Sequence, residues 1–402
     1  MRDAGRDGAR PVQHTSGGIS VAWGADLRTP GDESFFAAIV GLRDVEHLTL
    51  VGDEWVATAL PRLEGDASCS HTVPVALALV DADQDGSMEL LVHDLCGAYL
   101  VHAATSERAR VDSANDWLPG DGPYKYVETS AAVGGYTELA TGSEKGFSIL
   151  RSAERGARWT PVGSVGVPQP GSLSPKHGIV PVADSHVWFA VGETRLFAFE
   201  YTGSSLQTTE YVPEPPEPPN LIPYSTIDDL QLYDSPSCGR IGFGIGRFPA
   251  TAGRSPSAPI LVQVRSGEHS YRTTPLALDV DALALALERL DAGSFLVGVL
   301  GRRAGQGVFD TYRVGACGEI ELLATAATTI SDRRAPAPGF GEARPVTSEH
   351  VRLLALHVAG ARGFVTYDGY DARTYMLADL APHRVEERTF HVHSDRADLA
   401  FP

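Results

Sequence analysis

Residues 75–102 read "VALALVDADQDGSMELLVHDLCGAYLVH": an apolar run, an acidic loop holding one glycine, a second apolar run, a short polar turn and a third apolar run. Each run has the length of a strand and is bounded by residues that favour turns, so the stretch predicts consecutive antiparallel strands. The question is whether this pattern is local or belongs to the whole chain.

It recurs along the whole chain. "SFFAAIV" (34–40) is followed by "HLTL" (47–50), "ELLVH" (89–93) by "AYLVH" (98–102), "YTELAT" (136–141) by "GFSIL", and "HVWFAV" (186–191) by "RLFAF". The series continues with "RIGFGIG" (240–246) and "PILVQV", "SFLVGVL" (294–300) and "VFDTYR", and closes with "VRLLALH" (351–357) and "GFVTY". Successive pairs start roughly 45 to 60 residues apart, the length of a four-stranded propeller blade. Further strand candidates flank the pairs, such as "HGIVPV" (177–182) before one and "ARWTPVGSV" (157–165) after another. "DALALALERL" (281–290) is built of helix formers, but its leucines at 283, 285 and 287 alternate with period two and predict a strand.

The expected fold is therefore all-β, a single seven-bladed β-propeller of four-stranded antiparallel blades over residues 18–402, preceded by a polar tether at 1–17. The blades are expected at about 18–62, 70–118, 122–166, 170–214, 221–277, 278–331 and 345–402. "VEERTFHVHSDRADLAFP" (385–402) is expected to supply a closing strand shared with the first blade.

Composition narrows the partners. The 402 residues are 43% hydrophobic and 21% charged, as in a globular soluble chain, and 33 basic against 51 acidic residues leave a formal net charge of −18. Such a surface repels a phosphate backbone, which argues against nucleic acid. No stretch approaches the length of uninterrupted apolar residues that a membrane helix needs. The opening "MRDAGRDGARPVQHTSGG" lacks the hydrophobic segment of a secretory signal, which fits a cytosolic protein or an export signal lying upstream of this start.

The acidic loop carries the most specific chemistry. Asp81, Asp83, Asp85 and Glu89 occupy positions 1, 3, 5 and 9, with Gly86 at position 6 for a tight turn and Ser87 offering its carbonyl. Calcium takes six to eight oxygens, and alternate carboxylates converging on one turn supply them, whereas unpaired they would repel one another. A metal-free Asp/Gly hairpin is the other reading of the same residues.

"DADQDGSMELLV" resembles the D-x-D-x-D-G-x-x-D-L signature of FG-GAP and VCBS-type repeats, the calcium-loop blades of integrin α-subunits and of secreted bacterial propellers. The resemblance implies a structural calcium ion held by Asp81, Asp83, Asp85, Ser87 and Glu89, and an extracellular, periplasmic or cell-surface location. It also favours the reading in which an export signal precedes this sequence. Two departures stand out: position 9 is Glu89 where the family has aspartate, and only this one blade carries the full loop.

The expected topology sorts the four cysteines by face. Cys69 and Cys96 fall at one end of the blades, Cys238 and Cys317 at the other, so of three connectivities only 69–96 with 238–317 keeps partners together. Those bridges would imply an oxidising compartment; four unpaired cysteines remain the alternative.

The sequence contains no G-x-S-x-G, H-E-x-x-H, P-loop or C-x-x-C motif. The glycines of "IGFGIGRF" suggest close strand packing and not a dinucleotide site. "HVHSD" places His391, His393 and Asp395 where they could hold a metal or belong to a polar terminal strand. "EPPEPP" (214–219) reads as a stiff extended spacer. Arg43, Lys145, Arg195, Arg247, Arg254, Arg302, Arg303 and Arg362 are expected in loops after second strands, gathered on one end of the disc. There they would either attract an anionic glycan or protein ligand or serve as ordinary exposed turn residues.

Together these features favour a non-catalytic recognition or adhesion module that binds a protein or acidic glycan. Two alternatives stand beside it: a polysaccharide lyase or hydrolase with its site in the central channel, near His177, His186, Asp228 and Asp229, and an architectural subunit of a surface assembly.

Overall fold

The structure is a computed structural model. It describes strands between Gln13 and Thr389, together with the joining residues 82, 182, 195, 214–215, 238, 266–269, 276–280, 304–305, 317–319, 328–330 and 351. The described residues contain no helix, hence none long and apolar enough to cross a membrane.

The strands form antiparallel meanders in chain order. The first is β1 (Gln13–Ser16), β2 (Ile19–Ala25), β3 (Glu33–Ile39), β4 (Val45–Val51) and β5 (Glu54–Ala59). The second is β6 (Pro74–Val80), β7 (Glu89–Asp94), β8 (Gly97–His102) and β9 (Arg108–Val111). The third is β10 (Tyr126–Val133), β11 (Tyr136–Ser143), β12 (Gly146–Ala153) and β13 (Arg158–Gly166). The fourth holds β14 (Ile179–Pro181), β15 (Val187–Val191), β16 (Leu196–Tyr201) and β17 (Leu206–Pro213); the fifth holds β18 (Thr226–Ser235), β19 (Gly239–Arg247), β20 (Ser257–Arg265) and β21 (Ser270–Pro275). The sixth runs β22 (Asp281–Asp291), β23 (Ser294–Arg303), β24 (Gln306–Gly315) and β25 (Ile320–Ala327). A two-residue pair, β26 (Arg334–Ala335) with β27 (Arg344–Pro345), precedes the last meander, β28 (Arg352–Val358), β29 (Ala361–Tyr367), β30 (Asp371–Ala378) and β31 (Ala381–Thr389).

Each meander packs on the next. β6 lies against β2, β10 against β6, β14 against β10, β18 against β14, β22 against β19 and β20, and β28 against β22 and β23. β28 and β31 then return to β3 and β5 of the first meander, which closes the ring. The architecture is an all-β propeller.

The core lies between meanders, because an isolated four-stranded sheet cannot bury both of its faces. On β19 the period of two is plain: Ile241, Phe243 and Ile245 enter a cluster shared with Leu285, Leu287, Phe295 and Val297 of the sixth meander. The alternate positions are glycines for a steric reason. A Cβ on Gly242 would come within 2.6 Å of the Gln231 carbonyl oxygen, and one on Gly244 within 2.9 Å of that of Asp228, where β18 bulges between Asp228 and Gln231. Full burial of one such Phe or Ile side chain contributes about 1.5–3 kcal/mol.

β22 is the "DALALALERL" stretch, and it is a strand. It is buried on both faces: Ala282, Leu285 and Leu287 meet the fifth meander, while Leu283, Ala284 and Ala286 join a cluster with Phe364 and Tyr375 of the last. A bulge between Ala282 and Ala284 puts Leu283 on the same side as its neighbour, so a strict period of two breaks there.

Three expectations change. Gln13–Ser16, assigned to the polar tether, is strand β1 paired with β2. "VRLLALH" is the innermost strand of its meander and not the second, because the outer position is filled by β31. Residues 386–389 therefore pair with β30 within that meander, and the rest of the expected closing strand, 390–402, lies outside the described residues. The fourth and fifth meanders also fuse into one eight-stranded sheet, since β17 runs parallel to β21 with Val212 opposite Ser270 and Pro213 opposite Tyr271.

Candidate functional site

Glu89 opens β7 at the end of the acidic loop, and its carboxylate is 1% exposed. The Ala82 amide donates to Glu89 Oε2 at 2.8 Å. That contact folds position 9 of the loop back onto position 2, between Asp81 and Asp83 in the chain. The Ala82 carbonyl in turn accepts from the Ser152 hydroxyl on β12, so the loop is tied to the neighbouring meander. Asp81, Asp83, Asp85 and Ser87 lie outside the described residues.

A second buried glutamate stands at the matching place in the next meander. "ELLV" at 89–92 and "ELAT" at 138–141 both occupy second strands, and Glu138 is 2% exposed. Its partners differ. Arg151, directly opposite on β12, donates through Nε to Glu138 Oε1 at 2.8 Å, and the Trp188 indole of the fourth meander donates to Oε2 at 3.3 Å. The residue opposite Glu89 on β8 is His102. Glu138, Arg151 and Trp188 carry no motif that marks them as a site in the sequence; the repeated Glu-Leu pair at 89–90 and 138–139 is the one signal that points to the first of them.

Cys238 and Cys317 form a disulfide, Cα–Cα 5.3 Å, between the β18–β19 hairpin and the β24–β25 hairpin. The Gln263 side chain donates to the Cys317 carbonyl at 3.2 Å beside it. Cys69 and Cys96 lie outside the described residues.

The arginines do not form a bare positive rim. Arg195 pairs with Glu210 and Arg247 with the buried Asp228. Arg303 bonds Asp279 at 2.7 Å and the fully buried Asp310 at 2.8 Å, and Asp310 also accepts from the Tyr312 hydroxyl at 3.0 Å. Burial pushes the Tyr312 hydroxyl pKa up, and the Asp310 carboxylate adds to the shift. Arg362 Nε lies 2.9 Å from Glu288 of β22. Each pairing removes most of the field that the guanidinium would send outward. Arg362 also belongs to the other end of the molecule, because the hairpin that holds it joins the first and second strands of its meander. Among the described residues of the expected rim, Arg302 is the one without a carboxylate partner; Arg43, Lys145 and Arg254 lie outside them.

Of the channel candidates, Asp228 is committed to Arg247, the side chain of Asp229 is not described, and His177 and His186 lie outside the described residues. His391, His393 and Asp395 lie outside them as well. Among the described residues no group of three or more His, Cys, Asp or Glu side chains is placed to hold a metal.

No protein-family model matches the chain, and no curated protein sequence matches it. Solved structures do. A protein from Lactobacillus plantarum superposes with a TM-score of 0.50 at 14% identity, over 87% of this chain and 92% of that one. The WD40 domain of SCAP from fission yeast aligns with a TM-score of 0.43 at 7% identity, over 94% and 92% of the two chains. The Aleuria aurantia lectin, solved with α-methyl-L-fucoside, aligns at 0.39 and 9% identity, over 75% and 94%. Likeness at such identities concerns the fold, and it brings neither ligand nor activity to this chain.

Proposed function

We propose that the chain is a seven-bladed propeller of the FG-GAP/VCBS type that works outside the cytosol as a non-catalytic recognition or adhesion module, with one structural calcium ion in the 81–89 loop. The observation that carries this reading is the buried Glu89 carboxylate receiving the Ala82 amide, which turns the ninth loop position toward the segment bearing Asp81 and Asp83. That is the curvature a loop needs if alternate carboxylates are to converge on one hard cation. Asp81, Asp83, Asp85, Glu89 and the Ser87 carbonyl would hold the ion, which would neutralise the loop and fix its path. The Cys238–Cys317 bond supports the location, since disulfides persist in oxidising compartments.

The ligand class that fits is a protein or an acidic glycan, contacted through the unpaired Arg302 together with Arg43, Lys145 and Arg254. The test of the calcium site is thermal unfolding with calcium and with chelator. The midpoint should rise with calcium, by an amount equivalent to about 2.7 kcal/mol at a hundredfold excess over Kd, and Asp83→Ala with Asp85→Ala should abolish the rise. Identical midpoints in calcium and chelator would reduce the loop to an acidic turn. Loss of binding to an immobilised acidic glycan such as heparin on Arg302→Ala, with the midpoint unchanged, would support the rim; unchanged retention would remove Arg302 from it.

A further inference from the structure

Among the described residues the first meander has five strands where each of the others supplies four, and the surplus strand lies on its inner side. β2 packs on β6, the first strand of the second meander, just as β6 packs on β10, so β2–β5 correspond to the four strands found elsewhere. β5 is the outer strand and meets β31 of the last meander. β1 pairs with the inner side of β2 and also touches β6 and β10. The second meander stands between the first and the third. A strand paired with β2 therefore reaches β10 only by lying inside the ring of first strands, which puts β1 in the central channel.

The local sequence explains how β1 gets there and how weakly it is held. Ser16 stands opposite Ile19, so only Gly17 and Gly18 turn the chain, and two glycines suit a two-residue hairpin turn. β1 itself is "QHTS", without one apolar residue, in contrast to "ISVAWGA" of β2. Burial of apolar side chains, which holds the meanders to one another, is therefore not open to β1. What remains is its pairing with residues 19–22, along about 13 Å of a strand about 23 Å long. A short element held in this way opens at far lower free energy than the core around it.

We propose that β1 is a detachable plug, which keeps the central channel closed while paired and opens it on release without loosening the ring. The contact is autoinhibitory for any ligand that must reach the innermost strands, because such a ligand enters only after β1 has left. Release leaves β2–β5 as a complete four-stranded meander, still packed on β6 at one side and on β28 and β31 at the other.

The test uses the full chain with His14→Pro and Thr15→Pro. Neighbouring residues of an antiparallel pair alternate between hydrogen-bonded and non-hydrogen-bonded positions, so one of the two prolines removes a ladder N–H in either case. Hydroxyl-radical footprinting read by mass spectrometry reports which residues water reaches. Labelling of the peptides holding 74–80 and 126–133 should rise in the double variant, labelling of 54–59 on the outer strand should stay as in wild type, and the unfolding midpoint should not move. Unchanged labelling at 74–80 and 126–133 would overturn the plug. A rise accompanied by a lower midpoint would overturn its detachment and make β1 part of the framework of the ring. A photo-crosslinking benzoylphenylalanine in place of Gln13, in an otherwise unaltered chain, checks the position independently. Cross-links to 126–133 are expected, and their absence would overturn the proposal as well.

Discussion

The second and third meanders solve one electrostatic problem in two ways. Each carries a buried glutamate followed by leucine in its second strand, Glu89 at the start of β7 and Glu138 as the third residue of β11. In the third meander the counter-charge is built in, since Arg151 stands directly opposite and Trp188 closes the remaining oxygen from the next meander. In the second meander the opposite residue is His102, and the loop before the strand is acidic. A carboxylate buried without compensation is costly. The comparison therefore teaches that matching glutamates can be satisfied by different partners, a guanidinium and an indole at one and a loop amide at the other, where the proposed reading adds a bound ion.

Removing the built-in cation should have the largest effect. Arg151→Ala removes the guanidinium from buried Glu138, and breaking a buried pair costs about 3–5 kcal/mol; with Arg151 still 23% exposed, about 3 kcal/mol is expected. Urea unfolding measures it, and a loss below about 1 kcal/mol, the ordinary worth of an exposed pair, would end the analogy with Glu89 and the acidic loop. His102→Arg sharpens the comparison from the other side. A guanidinium opposite Glu89 should compete with calcium and weaken it about tenfold, equivalent to about 1.4 kcal/mol, read by calcium titration of the unfolding midpoint. An unchanged calcium response would mean that Glu89 does not face the ion. The smallest effect belongs to Trp188→Phe, which removes one hydrogen bond to Glu138 while Arg151 keeps the charge compensated; about 1 kcal/mol is expected in the same urea experiment.

How much of this was legible beforehand follows from the range of the interactions. Strand positions such as 240–246 and 294–300 could be read because alternation and turn residues act within a few positions of one another. "DALALALERL" was readable as a strand for the same reason, while its bulge at Leu283 was not, since the bulge answers to the packing of two neighbouring sheets. The 238–317 disulfide followed once strands were numbered within blades, because alternating strand direction sorts hairpins onto faces. Strand order read from sequence puts Arg362 after a second strand, whereas β28 is the first strand of its meander and Arg362 follows it.

The arginines show where local reading ends. Asp228, Asp279, Glu288 and Asp310 lie from 7 to 74 positions away from the arginines they neutralise, and Glu288 reaches Arg362 from a different sheet. Sequence alone determined the all-β class and the recurrent meander, since these depend on residue type and short spacing. Only the tertiary structure decided which charges are cancelled and which carboxylate meets which guanidinium. Those outcomes depend on distances of a few ångströms between residues far apart in the chain, and the energy of a buried charge is set by what stands beside it.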